Sequence, residues 1–258
     1  MPTLDQHQSS DYTKVIYIGD SGTGKTGSLA SLLAAGYSFN ILDMDNGLSA
    51  LVRYGREAGG DLSKINYETF RDEFKMTAGG PVVKGMPKAF SDAMNKLTEW
   101  SAIEDPKAIT VVDSLTFLGK SAMAWAKGMN PTTKDPRQWF YTAQQAVESV
   151  LALLTNESYK QNVIVISHVN YKEITENVHK GYPTAVGSAL GPTIASYFDT
   201  MILAEATGSG TNVRRKIKTL PTGVIDLKMP NPKVDKELPL ETGLATIFAQ
   251  LKEISNVT

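Results

Sequence analysis

The sequence predicts an α/β fold: a mostly parallel central sheet flanked by helices, closed by a C-terminal β-hairpin. Two observations carry this. Short β-branched runs alternate with helix-length stretches, as in βαβ units. Runs such as Ala108–Val112 and Val163–Ile166 are apolar without alternation, as strands covered on both faces must be. No internal repeat or break in composition interrupts the pattern, so one domain is predicted over 14–258 behind a polar tail over 1–13.

The elements follow in order. Val15–Ile18 reads as the first strand and Lys25–Ala35 as a helix stopped by Gly36. Phe39–Asp43 is the second strand, and the helix after it, near Leu48–Ala58, ends at Gly59-Gly60. Lys64–Phe70 reads as a third strand and Thr77–Pro87 as a loop. Phe90, Met94, Leu97 and Trp100 give Lys88–Ile103 helical spacing. After the Ala108–Val112 strand come a helix over Ser114–Lys127, a loop over Gly128–Pro136 and a long helix over Gln138–Leu154. Beyond the Val163–Ile166 strand, Asn170–Gly187 is polar and reads as a long loop, a length that is usually functional or disordered. A short helix over Pro192–Tyr197 precedes a strand over Thr200–Ala204. Arg214–Leu220 and Val224–Lys228 read as the hairpin, and Leu244–Leu251 as the last helix.

Composition removes several classes. With no cysteine among 258 residues, disulfides and thiolate metal sites are excluded. The 26 Lys+Arg against 27 Asp+Glu leave a net charge of -1, so any polyanion must be met by a local patch. The apolar runs are too short to span a bilayer and residues 1–13 hold no apolar leader, so a soluble cytoplasmic protein is expected.

Between the first strand and helix lies Gly19-Asp20-Ser21-Gly22-Thr23-Gly24-Lys25-Thr26, a full G-x-x-x-x-G-K-[ST] motif. Phosphates need convergent positive partial charge, which backbone N–H groups and a helix N-terminus supply. Lys25 is expected to reach the β- and γ-phosphates, and the Thr26 hydroxyl to ligate Mg²⁺. Gly22–Gly27 also satisfies G-x-G-x-x-G, with Asp43 and Asp45 near the place of a ribose-binding acid, so a dinucleotide-binding domain competes. That fingerprint leaves Gly19 and the Lys25-Thr26 pair unexplained.

Asp113 ends the apolar strand Ile109–Val112, where ligands bind in open α/β sheets, and is expected to hold Mg²⁺ with Thr26; capping of the next helix is the plainer role for Asp113 or Ser114. Asp43 and Asp45, two apart at the end of the second strand, are expected on one face, where a carboxylate can orient and deprotonate water. They equally suit a turn before Gly47. His168 closes another buried strand and is a candidate sensor of the γ-phosphate.

This order of motifs over Lys14–Leu227 resembles the RecA-like P-loop ATPase core, and most closely the compact phage-encoded RecA-like ATPases of the single-strand-annealing type. The resemblance implies a Mg²⁺-dependent ATPase acting on single-stranded DNA in recombination, annealing or replication, assembled as a ring or filament in a bacterial or phage-infected cell. It gives Asp45 the water-activating role that a glutamate has in RecA, and His168 a sensor position often held by glutamine. Two loops of the family line a DNA channel; Lys127, Lys134, Arg137, Tyr171, Lys172, Lys180 and Tyr182 stand in the matching places. A basic residue of the family enters the neighbouring subunit's site, and Arg214, Arg215, Lys216 and Lys228 are candidates. A nucleotide-driven assembly factor with a protein partner is the competing function. A small-molecule kinase is a third, though no arginine-rich lid is visible. No base-recognition motif separates ATP from GTP.

Overall fold

The structure, a computed structural model, describes residues 12–255; the predicted polar tail lies, up to residue 11, outside them. In chain order the first strands are β1 (Lys14–Gly19), β2 (Ser38–Asp43), β3 (Ile65–Thr69), β4 (Phe74–Thr77), β5 (Gly80–Val83) and β6 (Ala108–Asp113). They are followed by β7 (Asn162–Ser167), β8 (Val169–Thr175), β9 (Val178–Pro183), β10 (Thr200–Thr207), β11 (Arg214–Lys218) and β12 (Glu237–Pro239). The helices are α1 (Lys25–Ser28), α2 (Ala30–Ala34), α3 (Ser49–Glu57), α4 (Ala89–Ser101), α5 (Leu115–Met129), α6 (Pro136–Thr155), α7 (Gly191–Ile194) and α8 (Leu240–Ser255).

Eight strands form one sheet in the order β12-β11-β10-β1-β7-β6-β2-β3, parallel from β10 to β3 and antiparallel at β11 and β12. This is the mostly parallel α/β arrangement that the sequence predicts, with β7 between β1, which leads into the phosphate loop, and β6. Every residue of β6 and β7 is buried, which is why both read as unbroken apolar runs. Period-two alternation sends Ile16, Ile18, Val112 and Val165 to one face, packed on Leu97, Leu118, Val147 and Leu151 of α4, α5 and α6. Val15, Tyr17, Val111 and Ile164 go to the other face, against Leu32, Leu51, Leu244 and Phe248 of α2, α3 and α8. Both faces covered, the functional groups are left to the carboxyl ends of the strands.

Several expectations need correction. The first helix is two short ones broken at Leu29, because Ser28 Oγ bonds Lys25 O (2.7 Å) and Ser31 Oγ bonds Ser28 O (2.9 Å), competing for helical carbonyls. The loop read over Asn170–Gly187 is largely an antiparallel hairpin, β8–β9, turned at Glu176–Asn177 with Asn177 in the left-handed region (φ 61°). The loop read over Thr77–Pro87 holds part of a second hairpin, β4–β5. Val224–Lys228 does not pair with β11; it contributes one bridge, Met201 to Lys228. β11 instead pairs β12 and β10, burying Ile217 beside Leu238.

Candidate functional site

The segment after β1 curls back on itself. Gly24, at the start of α1, has φ +93°, and a Cβ there would lie 2.5 Å from Leu240, so only glycine fits both the backbone and the neighbour. Thr23 Oγ1 bonds Asp20 O at 2.9 Å, bracing the turn. Lys25 is buried, and its Nζ donates to Gly19 O and Asp20 O, both at 2.8 Å. Asp20, Ser21 and Gly22 form the exposed crest of the loop. Burial pulls the Lys25 amine down to about 8 against the opposing pull of Asp113, Asp20 and Asp45.

The adjacent strands deliver carboxylates. Thr26 Oγ1 donates to Asp113 Oδ2 at 2.7 Å, so the helix after the loop and the end of β6 meet at one point. Asp113 therefore does not cap α5, and Ser114, at the N-cap position, makes no side-chain capping bond either. Burial first, and then the charges of Asp45 and Asp43, lift the Asp113 carboxyl to about 7 against the Thr26 hydrogen bond and Lys25. Asp45 is raised as well, by burial first and then by Asp43, with His168, Ser114 and Arg71 opposing.

Asp43 and Asp45 are separated by their partners. β2 ends at Asp43, so the predicted common strand face does not extend to Asp45, which lies in the bend beyond. Asp43 is buried and engaged through both oxygens, accepting from Gly47 N (3.2 Å) and Thr69 Oγ1 (2.8 Å). Asp45 has one distant contact, Ser114 Oγ at 3.5 Å, and its Oδ1 is buried without a partner. Such an oxygen costs free energy unless the site supplies a donor or a cation. Among the described residues no group of three or more His, Cys, Asp or Glu is set to hold a metal. A hard cation here would depend on Thr26, Asp113 and phosphate oxygens, a donor set that suits Mg²⁺.

His168 stands half-buried between Phe117, whose ring it meets edge-on at 6.3 Å, and the charges of Lys25 and Asp45. Burial, then Lys25, lowers its pKa, so it is a neutral imidazole at neutral pH. Arg71, unremarked in the sequence, donates to the carbonyl of Asp45 from the base of the β4–β5 hairpin.

Beside the loop lies a cavity of about 250 Å³, lined by Gly27, Ser28, Tyr54, Arg215, Leu240 and Glu241 among others. A Cβ on Gly27 would come within 2.6 Å of the Tyr54 ring, so the glycine lets the aromatic close one wall. This cavity has no local signature, because α1, α3, β11 and α8 meet there from distant parts of the chain.

The predicted basic residues are more dispersed and more engaged than expected. Lys172 and Lys180 face each other across the β8–β9 hairpin; Lys172 donates to Ser188 O and lies over Tyr182, and Lys180 pairs with Asp226 at 2.8 Å. Tyr171 pairs with Gly181 and so projects from the opposite face to Tyr182, its hydroxyl 3.5 Å from Asp20 Oδ2. Arg137 is bonded to Asp135, Lys127 lies over the Trp139 ring, and Lys134 is exposed. Lys228 donates to Ala195 O and Phe198 O, and Lys216 pairs with Glu205 and Glu237, so both are held within the chain. Arg214 is exposed, whereas Arg215 Nε donates to Gly22 O, 3.2 Å away in its own phosphate loop.

Compared with known proteins, residues 11–229 match a family described as an AAA domain. Among solved structures the chain is similar to the RadB recombinase, at 17% identity over 90% of this chain and 89% of that one, with a TM-score of 0.48. It is also similar to a KaiC-like protein from the hyperthermophilic archaeon Pyrococcus horikoshii OT3, at 13% identity over 88% and 84% of the two chains, with a TM-score of 0.47. No curated protein matches it. Among the described residues no helix is long and apolar enough to cross a membrane.

Proposed function

This chain belongs to the AAA domain family, and we propose that it is a Mg²⁺-dependent ATPase acting on single-stranded DNA as a homo-oligomer. The observation that carries the ATPase reading is the 2.7 Å bond between Thr26 and Asp113, which joins the phosphate loop to the acid-tipped strand beside Asp45's unpartnered oxygen. Residues Gly19 to Gly27 surround the phosphates, with Lys25 turning from the Gly19 and Asp20 carbonyls to the β- and γ-oxygens. Thr26 and Asp113 would hold Mg²⁺, which supplies charge neutralisation at the phosphate oxygens. Asp45 accepts the proton of the attacking water, and neutral His168 hydrogen-bonds the γ-phosphate end. The base lies in the cavity against Tyr54.

The DNA reading rests on the β8–β9 hairpin, which springs from His168 and carries Tyr171, Lys172, Lys180 and Tyr182. The pairs Lys180–Asp226 and Arg137–Asp135 are solvent-exposed on at least one side. Such pairs are worth about 0–1 kcal/mol, so a DNA phosphate displaces the carboxylate at little cost. Affinity for oligonucleotides is expected to fall with salt at a log–log slope of about -0.7 per phosphate, or about -3.5 for contacts by Lys127, Lys134, Arg137, Lys172 and Lys180. Anisotropy across a salt series, with an ATP analogue present, measures it. Equal affinity for duplex and single strand, or no binding at low salt, overturns this reading.

One observation favours the second reading, a nucleotide-driven assembly factor. On the β4–β5 hairpin Phe74 and Met76 are 66% and 79% exposed, a surface suited to a protein partner. Hydrolysis stimulated by such a partner and indifferent to DNA would favour it; hydrolysis stimulated by single-stranded DNA favours the first.

A further inference from the structure

Building on the nucleotide-binding reading, we propose that Arg215 is a nucleotide-binding residue of its own chain, contacting the ribose and α-phosphate end of the substrate in cis. The resemblance drawn from sequence makes Arg215 a candidate to serve a neighbouring subunit; the geometry points the other way.

Strand alternation comes first. Ile217 is buried on the face of the sheet that α2 and α8 cover, and Arg215, two residues before it on β11, is directed to the same face. Arg214 and Lys216 are directed to the opposite one. β11 is bonded to β10 and β10 to β1, the strand that leads into the phosphate loop, so one continuous ladder fixes the arginine relative to that loop. The contacts agree. Arg215 Nε donates to Gly22 O at 3.2 Å, and its Cδ lies 3.3 Å from where a Cβ of Gly24 would stand.

The free donors make the case for a ligand. Lys216 and Lys218, on the same strand, are held by Glu205 and Glu237. Among the described residues the Arg215 guanidinium forms no ion pair, and Arg215 lines the cavity together with Gly27 and Ser28. A planar fork of donors beside the first turn of the phosphate-binding helix matches a phosphate or a ribose hydroxyl. Gly27 and Ser28 follow Lys25 and Thr26, which serve the terminal phosphates, so this wall faces the other end of the nucleotide.

The test titrates a fluorescent ATP and a fluorescent ADP, with Mg²⁺, into wild type, Arg215→Ala and Arg215→Lys. A second arm mixes Arg215→Ala with Lys25→Ala chains and reads hydrolysis. The side chain is exposed, so both variants should melt as wild type does. Kd is expected to rise about 10- to 100-fold for ATP and ADP alike in Arg215→Ala, the scale of one lost charged hydrogen bond, with partial recovery in Arg215→Lys. Mixing should restore nothing, since each chain lacks part of its own site. Unchanged affinity in Arg215→Ala, a loss confined to ATP, or rescue on mixing would each overturn the cis assignment alone. A wild-type chain that binds neither nucleotide overturns the nucleotide-binding reading, and this inference with it.

Discussion

Lys25→Ala is expected to abolish tight Mg·ATP binding while leaving the fold intact. No other residue from Gly19 to Gly27 offers a positive charge, and the buried Nζ already points into the curl of the loop through its two 2.8 Å bonds. A hydrogen bond to a charged group is worth about 1.5–3 kcal/mol, and Lys25 would serve two phosphates, so a loss of at least about a hundredfold follows. Removing the ammonium also leaves Asp113 and Asp45 facing the triphosphate with less to offset their charge. Calorimetry on the folded variant reads this directly. Micromolar affinity retained in Lys25→Ala would sink the phosphate-loop assignment.

Asp45→Asn is expected to keep nucleotide affinity and cut turnover about a hundredfold or more, the scale of losing a general base. Asparagine preserves the shape and the contact with Ser114 but cannot accept the proton. Asp43→Asn should behave differently, because its carboxylate ties Gly47 and Thr69 together; its cost should appear in the melting temperature. Steady-state phosphate release and calorimetry on both variants separate these outcomes. Turnover lost in Asp43→Asn and kept in Asp45→Asn would move water activation two residues back along the chain.

The contrast between these two aspartates shows how far the sequence could be read. β1, β6 and β7 were visible because burial on both faces demands an unbroken apolar run, and the phosphate loop because its chemistry needs a fixed spacing. Partners were not visible. Nothing in the string Asp43-Met44-Asp45 says that Thr69 takes one carboxylate and leaves the other open. The β8–β9 hairpin is illegible for a related reason: most of its residues are exposed, so no apolar face imposes a period, and Glu176–Asn177 is a weaker turn signal than Asn-Gly. β12 displaced Val224–Lys228 as the partner of β11 because Leu238 fills the core beside Ile217, a choice made by packing. The Arg215 contact spans 193 residues, a separation that local pattern cannot register.

The place of β1 in the sheet has a consequence for how the chain reaches this structure. β1 lies far in sequence from its neighbours in the sheet, β7 and β10, with which it is in register at Lys14–Val163 and Val15–Thr200. Its apolar residues can pair only across long intervening stretches of chain. Loops of that length close slowly, and parallel strands joined across them are expected to form late. The phosphate loop therefore becomes a rigid cradle only once β7 and β10 have docked on β1. Pulse-labelled hydrogen exchange during refolding should find the amides of β1 protected no earlier than those of β10; early protection of β1 alone would refute this order. The strand that carries the most legible motif in the sequence is held by partners far along the chain.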